Sequence, residues 1–410
     1  MPGRLVLLGS AQTYRRPPFE AAARALGIEV VMGEDVPQPF LGRAAAELPL
    51  DYRDLERSAA AIVRYAAEHE VGAIVGLDDS GTVLAARASA ALGLPHNAPE
   101  AALRSRDKLA MRRCLAEAGV PQPSFRHAQA GDDPRALAAV VAYPCVLKPT
   151  TLAGSRGVMR ADGPEELVSR FLRLRAILAA ERCADVLVEG YVPGLEVALE
   201  GLLSGGALRV LALFDKPDPL EGPYFEETLY VTPSRLPAPV QEALGAAAAR
   251  AAAALGLREG PVHAELRWSD GEAWLIEVAA RSIGGLCGRT LRFGVDMSLE
   301  ELILRHAFRL GGIEAPRESR AGGVMMIPIP AAGILRGVHG LEEARAVPLV
   351  ESVEVTARMH CPLVPLPEGD SYLGFIFARG EGPAAVEAAL REAHARLRFE
   401  IAAEVPLRRG

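Results

Sequence analysis

Residues 261–285 constrain the structure and chemistry of this chain more than any other stretch. Two short runs flank the turn sequence Ser-Asp-Gly-Glu at positions 269–272, which is typical of a β-hairpin. Glu265 lies on the first arm of this hairpin and Glu277 on the second. Whether the two carboxylates meet depends on how the arms pair.

The hydrophobic pattern of the two arms favours one register. A three-residue loop at positions 270–272 gives one consistently apolar face and sets Glu265 opposite Glu277 on the other face. The apolar partners are then Leu266 with Ile276, Trp268 with Trp274, and Ala264 with Val278. A two-residue loop would mix Glu277 among the apolar partners, and a one-residue slip would lose the buried face. We therefore predict two carboxylates side by side.

Two opposed carboxylates destabilise a sheet unless something neutralises them. A hard divalent cation that prefers oxygen ligands, Mg²⁺ or Mn²⁺, is the natural candidate. On the hairpin alone, two solvent-exposed glutamates at the edge of a sheet are an equally good interpretation. The rest of the chain has to decide between them.

Length, charge and cysteine usage limit the class of protein. At 410 residues the chain is too long for one ordinary core, so roughly two to four domains are expected. The net charge of −7, with acids and bases interspersed, argues against a nucleic-acid partner. The five scattered cysteines show no metal-ligand spacing, which favours reduced thiols in the cytoplasm. The apolar runs are too short for a signal peptide or a membrane span, so we expect a cytoplasmic protein with no membrane partner.

Residues 1–104 alternate between strand and helix patterns, which predicts a doubly wound α/β domain with a parallel sheet. The pair Gly9-Ser10 after the first strand lacks the further glycines of a dinucleotide fingerprint, so NAD binding has little support. The sequence Asp-Asp-Ser-Gly at positions 78–81 follows a later strand at its carboxyl end. It could line a ligand crevice there or simply cap the next helix.

A lysine-led loop in the middle of the chain suits a polyphosphate. Lys148 ends a predicted strand, and residues 149–158 after it are rich in Gly, Thr and Ser. Loop N–H groups form a concavity that binds anions, and the ammonium group supplies charge. The order of Gly and Lys is wrong for a P-loop. The alternative is a surface loop. However, a lysine without a partner or ligand is rarely found in an apolar setting such as that of Lys148, between Leu147 and Pro149.

The segment at positions 188–196 places Glu189 and Glu196 on either side of a short extended stretch. Such a stretch can offer backbone groups to a purine edge and a carboxylate to ribose hydroxyls. Alone this signal is weak.

Taken in order, these elements resemble the ATP-grasp superfamily. They are Asp107-Lys108, Lys148 with its loop, Glu189 through Glu196, Glu265, Glu277 and Arg281. The resemblance is strong over residues 104–310, plausible for the N-terminal domain and loose for the tail. It implies α/β and α+β parts, ATP and Mg²⁺ (or Mn²⁺) as cofactors, and a nucleotide held between two lobes, one of them a mobile lid.

The resemblance also implies a division into four parts. These are an N-terminal α/β domain at 1–104, a first ATP-grasp part with the lid at 105–190, a catalytic subdomain with the metal site at 191–312, and a C-terminal α+β subdomain at 313–410.

Site roles follow from the same resemblance, position by position. The cofactor-binding residues that it implies are Lys108, Lys148, Gly154, Ser155, Gly157, Val158, Glu189, Tyr191, Val192, Glu196 and Lys216. The lysines would contact phosphates under the loop at 154–158, Glu189 and the backbone near Val192 would meet adenine, and Glu196 would meet ribose. Glu265 and Glu277 would hold the metal, and Arg281 would stabilise the transferring phosphoryl group or an acyl phosphate.

One departure from the superfamily pattern narrows the choice of branch within the superfamily. Many members carry Asn two residues after the second metal glutamate, whereas this chain has Ala279, which puts a three-residue metal cage in doubt. The set of His263, Glu265, Glu277 and Arg281 is similar to that of the L-amino-acid ligases, including the bacilysin-type dipeptide synthetases.

Residues 225–234 resemble a substrate loop of the same branch. There Glu227 would match a glutamate near the amino-acid substrate, and Tyr230 replaces a histidine often found at its position. His263 invites a structural or substrate-contact role rather than that of a catalytic base. Gly284, at a Gly-Gly bend, and Arg289 after it are further substrate candidates, with a solvated Arg289 as the alternative.

The function that this resemblance implies is ATP-dependent carboxylate–amine ligation of small molecules through an acyl phosphate, with amino acids as the expected substrates. Two alternatives stay open, namely a ligase with another nucleophile, such as a purine-pathway transformylase or a bicarbonate-using carboxylase, and an ATP-binding module without catalysis. Small-molecule substrates are the expected partners. The oligomeric state is open, with a homodimer as one expectation.

Overall fold

The N-terminal part of the chain forms an open parallel sheet of four strands. The structure is a computed structural model that describes residues 3–10, 13–36, 47–181 and 183–403. The strands are β1 (Arg4–Gly9), β2 (Val30–Asp35), β3 (Leu48–Leu50) and β4 (Val71–Gly76), in the order β3-β2-β1-β4. Helix α1 (Arg16–Ala25) covers one face, and helices α2 (Leu55–Glu68) and α3 (Asp79–Leu92) cover the other. The predicted doubly wound arrangement is confirmed, whereas β3 was not predicted because three residues with a central proline show no strand period.

A second, antiparallel sheet follows two connecting helices, α4 (Pro99–Arg106) and α5 (Lys108–Glu117). Its strands are β5 (Phe125–Gln129), β6 (Cys145–Pro149), β7 (Met159–Ala161) and β8 (Asp185–Gly190), in the order β5-β8-β6-β7. Helices α6 (Pro134–Ala138) and α7 (Pro164–Glu181) pack on one face. Because side chains alternate along a strand, Cys145 and Leu147 enter that core while Lys148 points to the opposite face.

The largest sheet has eight strands and draws on both remaining parts of the chain. In chain order its strands are β9 (Leu195–Ser204), β10 (Ala207–Asp215), β11 (Leu229–Thr232), β12 (Gly260–Ser269), β13 (Glu272–Ala279), β14 (Ala321–Ile327), β16 (Val350–Val355) and β18 (Gly374–Gly380). A separate small sheet is formed by β15 (Gly333–His339), β17 (Pro362–Leu363) and β19 (Arg398–Ala402). The spatial orders are β13-β12-β9-β10-β11-β14-β18-β16 and β17-β15-β19. The helices of this region are α8 (Ala238–Leu255), α9 (Leu299–Ala307), α10 (Leu341–Arg345) and α11 (Pro383–Arg396), and a short 3₁₀ helix spans Cys287–Thr290. Since residues 321–380 share a sheet with residues 195–279, the predicted boundary at 312/313 divides the sequence within one sheet, and the four-part division stays a prediction.

The two faces of the eight-stranded sheet bury different partners. On β9, Val197 and Leu199 join a core with α8, whereas Ala198 and Leu202 face the N-terminal sheet with α1 and α9. The acidic residue Glu200 shares the second face by the same alternation. This packing brings the carboxyl end of the parallel sheet close to the hairpin formed by β12 and β13. Within the described ranges, none of the helices combines the length and the hydrophobicity that a transmembrane segment needs.

The hairpin confirms the main sequence prediction and corrects its details. Glu265 lies directly opposite Glu277, and Ala264 opposite Val278, as predicted. The predicted pairs of Leu266 with Ile276 and of Trp268 with Trp274 are wrong, because Leu266 pairs with Leu275 and Trp268 with Ala273. The turn is the tighter two-residue Asp270-Gly271, both in the left-handed region with φ of 52° and 80°. An irregularity between Glu265 and Leu266 then shifts the pairing of the two strands, so that Glu265 lies opposite Glu277 in spite of the shorter turn.

Candidate active site

A cavity of about 970 Å³ lies where the three large sheets meet. Most of the predicted site residues line it, and these are Lys108, Lys148, Gly154, Ser155, Val158, Glu189, Tyr191, Val192, Glu196, Glu227, Tyr230, His263, Glu265, Glu277, Arg281 and Gly284. Gly157, Lys216 and Arg289 do not contribute to its described wall. The predicted set is therefore brought together from the start of α5, the second sheet with its loop, the segment leading into β11 and the hairpin.

Lys108 connects the hairpin to the predicted phosphate loop. It occupies the first position of α5, where Asp107 caps the helix by accepting hydrogen bonds from Leu109 N and Ala110 N at 2.9 Å. The Lys108 ammonium donates to Leu152 O at 2.8 Å, and its Nζ lies 3.1 Å from Glu277 Oε1. The helix start thus fixes a cation between the two elements.

Lys148 belongs to a buried triad with Glu189 and Arg112. Lys148 Nζ lies 2.6 Å from Glu189 Oε2, and Arg112 Nε donates to Glu189 Oε1 at 2.5 Å. Burial alone would raise the pKa of Glu189, but Arg112 and Lys148 outweigh it and hold that pKa below its ordinary value. Since both Glu189 oxygens are engaged, its carboxylate would act on a nucleotide through Lys148 rather than by direct contact. Arg112 was missed from the sequence because an arginine within a helix carries no motif signal.

The predicted phosphate loop adopts backbone conformations that favour glycine. Gly154, Ser155 and Gly157 have φ of 63°, 57° and 76°. A Cβ on Gly157 would lie 2.9 Å from Leu174 Cδ1, so this glycine serves close packing rather than the cavity. The Gly157 N–H donates to Pro367 O at 2.9 Å, which ties the loop to the C-terminal segment.

Lys216 lies beneath the cavity wall among three carboxylates. Its Nζ is 2.8 Å from Glu196 Oε1, 2.5 Å from Glu227 Oε1 and 3.4 Å from Glu265 Oε1. Burial opposes the charge, but these carboxylates raise the pKa of Lys216 well above its ordinary value. The same three glutamates could hold a metal ion, since their ligand oxygens lie within 4.8 Å of one another. In this structure the ammonium group occupies that position.

Glu196 and its neighbours at the predicted adenine segment are held by Arg267. Arg267 Nε donates to Glu196 Oε2 at 2.7 Å, and its Nη1 donates to Val192 O at 2.7 Å. The guanidinium also lies 5.1 Å from the centre of the Tyr191 ring, a cation–π geometry. Arg267 was also missed from the sequence, where its place on the hairpin gave no sign of this role.

The predicted metal pair consists of oxygen donors with accessible faces. The side chains of Glu265 and Glu277 are 21 % and 29 % exposed, and each is neutralised by a lysine, Lys216 and Lys108 respectively. Ala279 adds no ligand atom on this strand. Two carboxylates facing a cavity fit Mg²⁺ or Mn²⁺ in donor type, because both ions prefer oxygen.

His263 lies between a buried glutamate and the predicted metal site. His263 Nδ1 is 3.8 Å from Glu200 Oε2, and His263 Nε2 is 3.6 Å from Glu265 Oε1. Burial lowers the pKa of His263 to about 3, with Arg281 and Lys216 adding to the effect. Burial also raises the pKa of Glu200 well above its ordinary value. A neutral imidazole suits the structural or substrate-contact role that the sequence predicted, which stays a prediction.

Arg281 reaches across to the N-terminal domain. Its Nε and Nη2 donate to Asp79 Oδ1 and Oδ2 at 2.9 and 2.8 Å, and its Nη1 donates to Ser282 O at 3.0 Å. The neighbouring Asp78 caps α3 through a hydrogen bond from Ser80 N at 3.1 Å. The Asp-Asp-Ser-Gly sequence therefore serves both as a helix cap and as a wall of the crevice. Its position at a strand end was the sequence signal for Asp79.

The substrate candidates divide into those near the cavity and one outside it. Glu227 faces Tyr230, and burial raises the pKa of Glu227 in spite of Lys216. Gly284 lines the cavity, whereas Arg289 pairs with Glu354 Oε1 at 2.7 Å and lies over the Phe377 ring. This position gives the predicted substrate role of Arg289 no support, so Arg289 does not enter the proposal below.

Comparisons with known proteins agree with this architecture. Family models match as an ATP-grasp N-terminal domain over residues 19–96, an ATP-grasp domain over 141–290, and an L-amino acid ligase C-terminal domain 2 over 325–402. The crystal structure of an L-amino acid ligase from Bacillus licheniformis superposes with a TM-score of 0.79 at 25 % identity, covering 98 % of this chain and 100 % of that chain.

Two curated relatives are similar in sequence over part of their length. A D-alanine–D-alanine ligase from Desulforudis audaxviator is 32 % identical over 234 residues, which is 53 % of this chain and 73 % of the relative. An alanine–anticapsin ligase from Bacillus subtilis is 29 % identical over 259 residues, which is 58 % of this chain and 54 % of that protein.

Proposed function

Since this chain belongs to the ATP-grasp superfamily and is an ATP-dependent carboxylate–amine ligase, we propose that it joins two amino acids into a dipeptide with release of ADP and phosphate. The observation that carries the proposal is that one cavity is lined by the side chains that such a reaction needs. Buried lysines suited to phosphates, opposed carboxylates suited to a cation, and Glu227 suited to an amino group all reach it or underlie its wall.

The nucleotide would lie between the second sheet and the hairpin. Lys108 and Lys148 would contact phosphates, and the loop containing Gly154, Ser155 and Val158 would close over them. The backbone around Tyr191 would meet the adenine. Glu196 would contact the ribose and Lys216 the phosphates. The ion pair that these two residues form with each other in this structure would break when the nucleotide binds.

The first step would activate a carboxylate, which is a poor electrophile because its oxygens share the negative charge. A carboxylate oxygen attacks the γ-phosphorus, the bond from that phosphorus to the β,γ-bridging oxygen breaks, and ADP leaves an acyl phosphate behind. Such a transfer needs positioning and charge neutralisation more than covalent help. Lys108 and Arg281 would supply that charge, and the interaction of each with Glu277 supports this role.

Mg²⁺ fits the donor set of Glu265 and Glu277, which would hold it at the phosphates. When bound, the ion supplies Lewis-acid charge neutralisation to the phosphoryl oxygens. Lys108 and Lys216 would then be free to turn from these glutamates towards the nucleotide.

The second step would form the amide bond. The neutral amine nitrogen attacks the acyl carbon, the bond from that carbon to the phosphate oxygen breaks, and the proton lost from the nitrogen leaves with inorganic phosphate. Arg281 would stabilise the oxygens that carry charge at this stage. The loop closed by Gly157 and Pro367 would exclude water, which otherwise hydrolyses the acyl phosphate.

A substrate screen tests the proposal directly. Release of ADP and phosphate is measured with ATP, Mg²⁺ and all pairs of the twenty common amino acids, and products are identified by mass spectrometry. The proposal expects dipeptides formed in equal amount to ADP. ADP release with formylated or carboxylated products would instead support another ATP-grasp ligase, and tight ATP binding without ADP would support a non-catalytic module.

The remaining expectations concern assembly and location. A homodimer stays a prediction, for which light scattering after size-exclusion chromatography gives the mass. A cytoplasmic location stays a prediction that cell fractionation would test.

A further inference from the structure

Arg15 is a buried arginine that reaches the cavity from the N-terminal domain. It lies at the start of α1, is 9 % exposed, and lines the same cavity as the residues above. Its Nη2 donates to Ser282 O at 2.8 Å and to Ser282 Oγ at 2.6 Å. Among the described residues, its Nε and Nη1 make no hydrogen bond and no carboxylate lies within ion-pairing distance of it.

Arg15 and Arg281 are brought together by one carbonyl group. Arg281 Nη1 donates to the same Ser282 O at 3.0 Å, so the two guanidinium groups flank one acceptor. Of the two, only Arg281 has a carboxylate partner in the described part of the chain, which is Asp79. Burying two like charges against one opposite charge is costly unless an anion completes the cluster.

The other acids of this region lie too far away or are shifted towards their neutral form. Glu200 acts on the pKa of Arg15, and Arg15 acts on the pKa of Glu300, but neither carboxyl group lies within ion-pairing distance of Arg15 among the described contacts. Burial raises the pKa of both carboxyl groups. Burial lowers the pKa of Arg15, and the Arg281 charge adds to that effect. A guanidinium stays charged in proteins, so the balance favours a bound anion rather than a neutral arginine.

We propose that Arg15 binds the α-carboxylate of the amino acid whose amine attacks. This inference rests on the proposed function, in which Arg281 faces the activated acyl group. A carboxylate on Arg15 would lie next to that group, because both arginines share Ser282. The α-amine and α-carboxylate of an amino acid are attached to the same carbon, so holding the carboxylate presents the amine to the acyl carbon. The nucleophile is thereby restricted to amino acids with a free carboxylate.

A competition experiment tests this assignment. ATP, Mg²⁺ and one donor amino acid are supplied with equal amounts of L-alanine, L-leucine or L-phenylalanine and the matching α-carboxamide. Mass spectrometry then gives the ratio of dipeptide to dipeptide amide. The unaltered enzyme is expected to prefer the free acid by about tenfold or more, because a charged site left without its partner rejects the analogue. Arg15→Met should bring the ratio close to one, and Arg15→Lys should fall between them.

Trapping of the acyl phosphate with hydroxylamine separates binding from folding. Arg15→Met should lower dipeptide formation by at least about tenfold more than hydroxamate formation, because hydroxylamine carries no carboxylate. Arg24→Met, an exposed arginine on α1, is the matched control and should leave both products as in the unaltered enzyme.

The possible outcomes distinguish the two proposals. If the unaltered enzyme forms ADP but uses acids and carboxamides equally, or if Arg15→Met lowers both products equally, Arg15 does not bind the nucleophile. If no amino-acid pair yields ADP, the proposed function itself fails, and this inference fails with it.

Discussion

The ion pair between Asp79 and Arg281 should determine the orientation of Arg281, the arginine proposed to stabilise charge during the reaction. Both oxygens of Asp79 accept from Arg281, at 2.9 and 2.8 Å, which fixes the plane of the guanidinium. In Asp79→Asn, one oxygen is replaced by an NH₂ group that faces another donor. Arg281 then keeps one hydrogen bond to the remaining amide oxygen and its contact with Ser282 O, but it loses the second hydrogen bond and the neutralising charge.

The size of the effect follows from how far the pair is buried. The side chains are 13 % and 24 % exposed, between a surface pair worth about 0–1 kcal/mol and a buried pair whose breakage costs about 3–5 kcal/mol. An intermediate value of ~2 kcal/mol corresponds to a rate loss of ~30-fold. Because Asp79 acts through Arg281 and not on the nucleotide, kcat should fall while the KM for ATP stays within about twofold.

The assay is ADP release with the best amino-acid pair from the substrate screen, at varied ATP. Asp79→Glu, which keeps the charge, should recover part of kcat. Glu56→Gln is the matched control. Glu56, on α2, pairs with Arg87 of α3, the helix that also carries Asp79, but its side chain is 83 % exposed. A kcat for Asp79→Asn within twofold of the unaltered enzyme, or equal losses in kcat and ATP affinity, would refute the positioning role.

Three further predictions concern the buried charges. Glu277→Ala removes a proposed metal ligand and the partner of Lys108, so ADP release should fall ~100-fold or more. A titration should show that the variant needs more Mg²⁺, and full activity would contradict the metal assignment. Glu189→Gln leaves Arg112 and Lys148 as buried cations, so urea unfolding should show a loss of ~3–5 kcal/mol, and a loss below ~1 kcal/mol would count against the triad. Because the pKa of Glu189 lies below 4.5 in the folded state, its contribution is present above pH 4.5 and disappears as the pH falls through the lower value. Acid unfolding of the unaltered protein should therefore be steeper below pH 4.5 than that of Glu189→Gln, and identical curves would refute this.

The sequence predicted which residues meet better than how they pair. Opposition of Glu265 and Glu277 followed from the alternation of the hairpin, which one buried face strongly specifies. The turn was misjudged because an irregularity within the hairpin can compensate for a shorter loop. The arginines Arg112 and Arg267 were missed because their partners come from distant segments. Strand β3 was missed because three residues with a central proline show no strand period.

Pairing explains how the site can hold so many charges before any ligand arrives. Lys108 neutralises Glu277, Lys216 neutralises Glu265, and Asp79 neutralises Arg281, so each of these charges has a partner in the described structure. Such pairs avoid the large cost of isolated buried ions, and a nucleotide with its cation could replace them one for one. Arg15 departs from this pattern, because the hydrogen bonds of its side chain in the described structure are to the neutral Ser282 alone. An anion that binds there need not displace a protein carboxylate, which is why the nucleophile's carboxylate is expected at Arg15 rather than at Arg281.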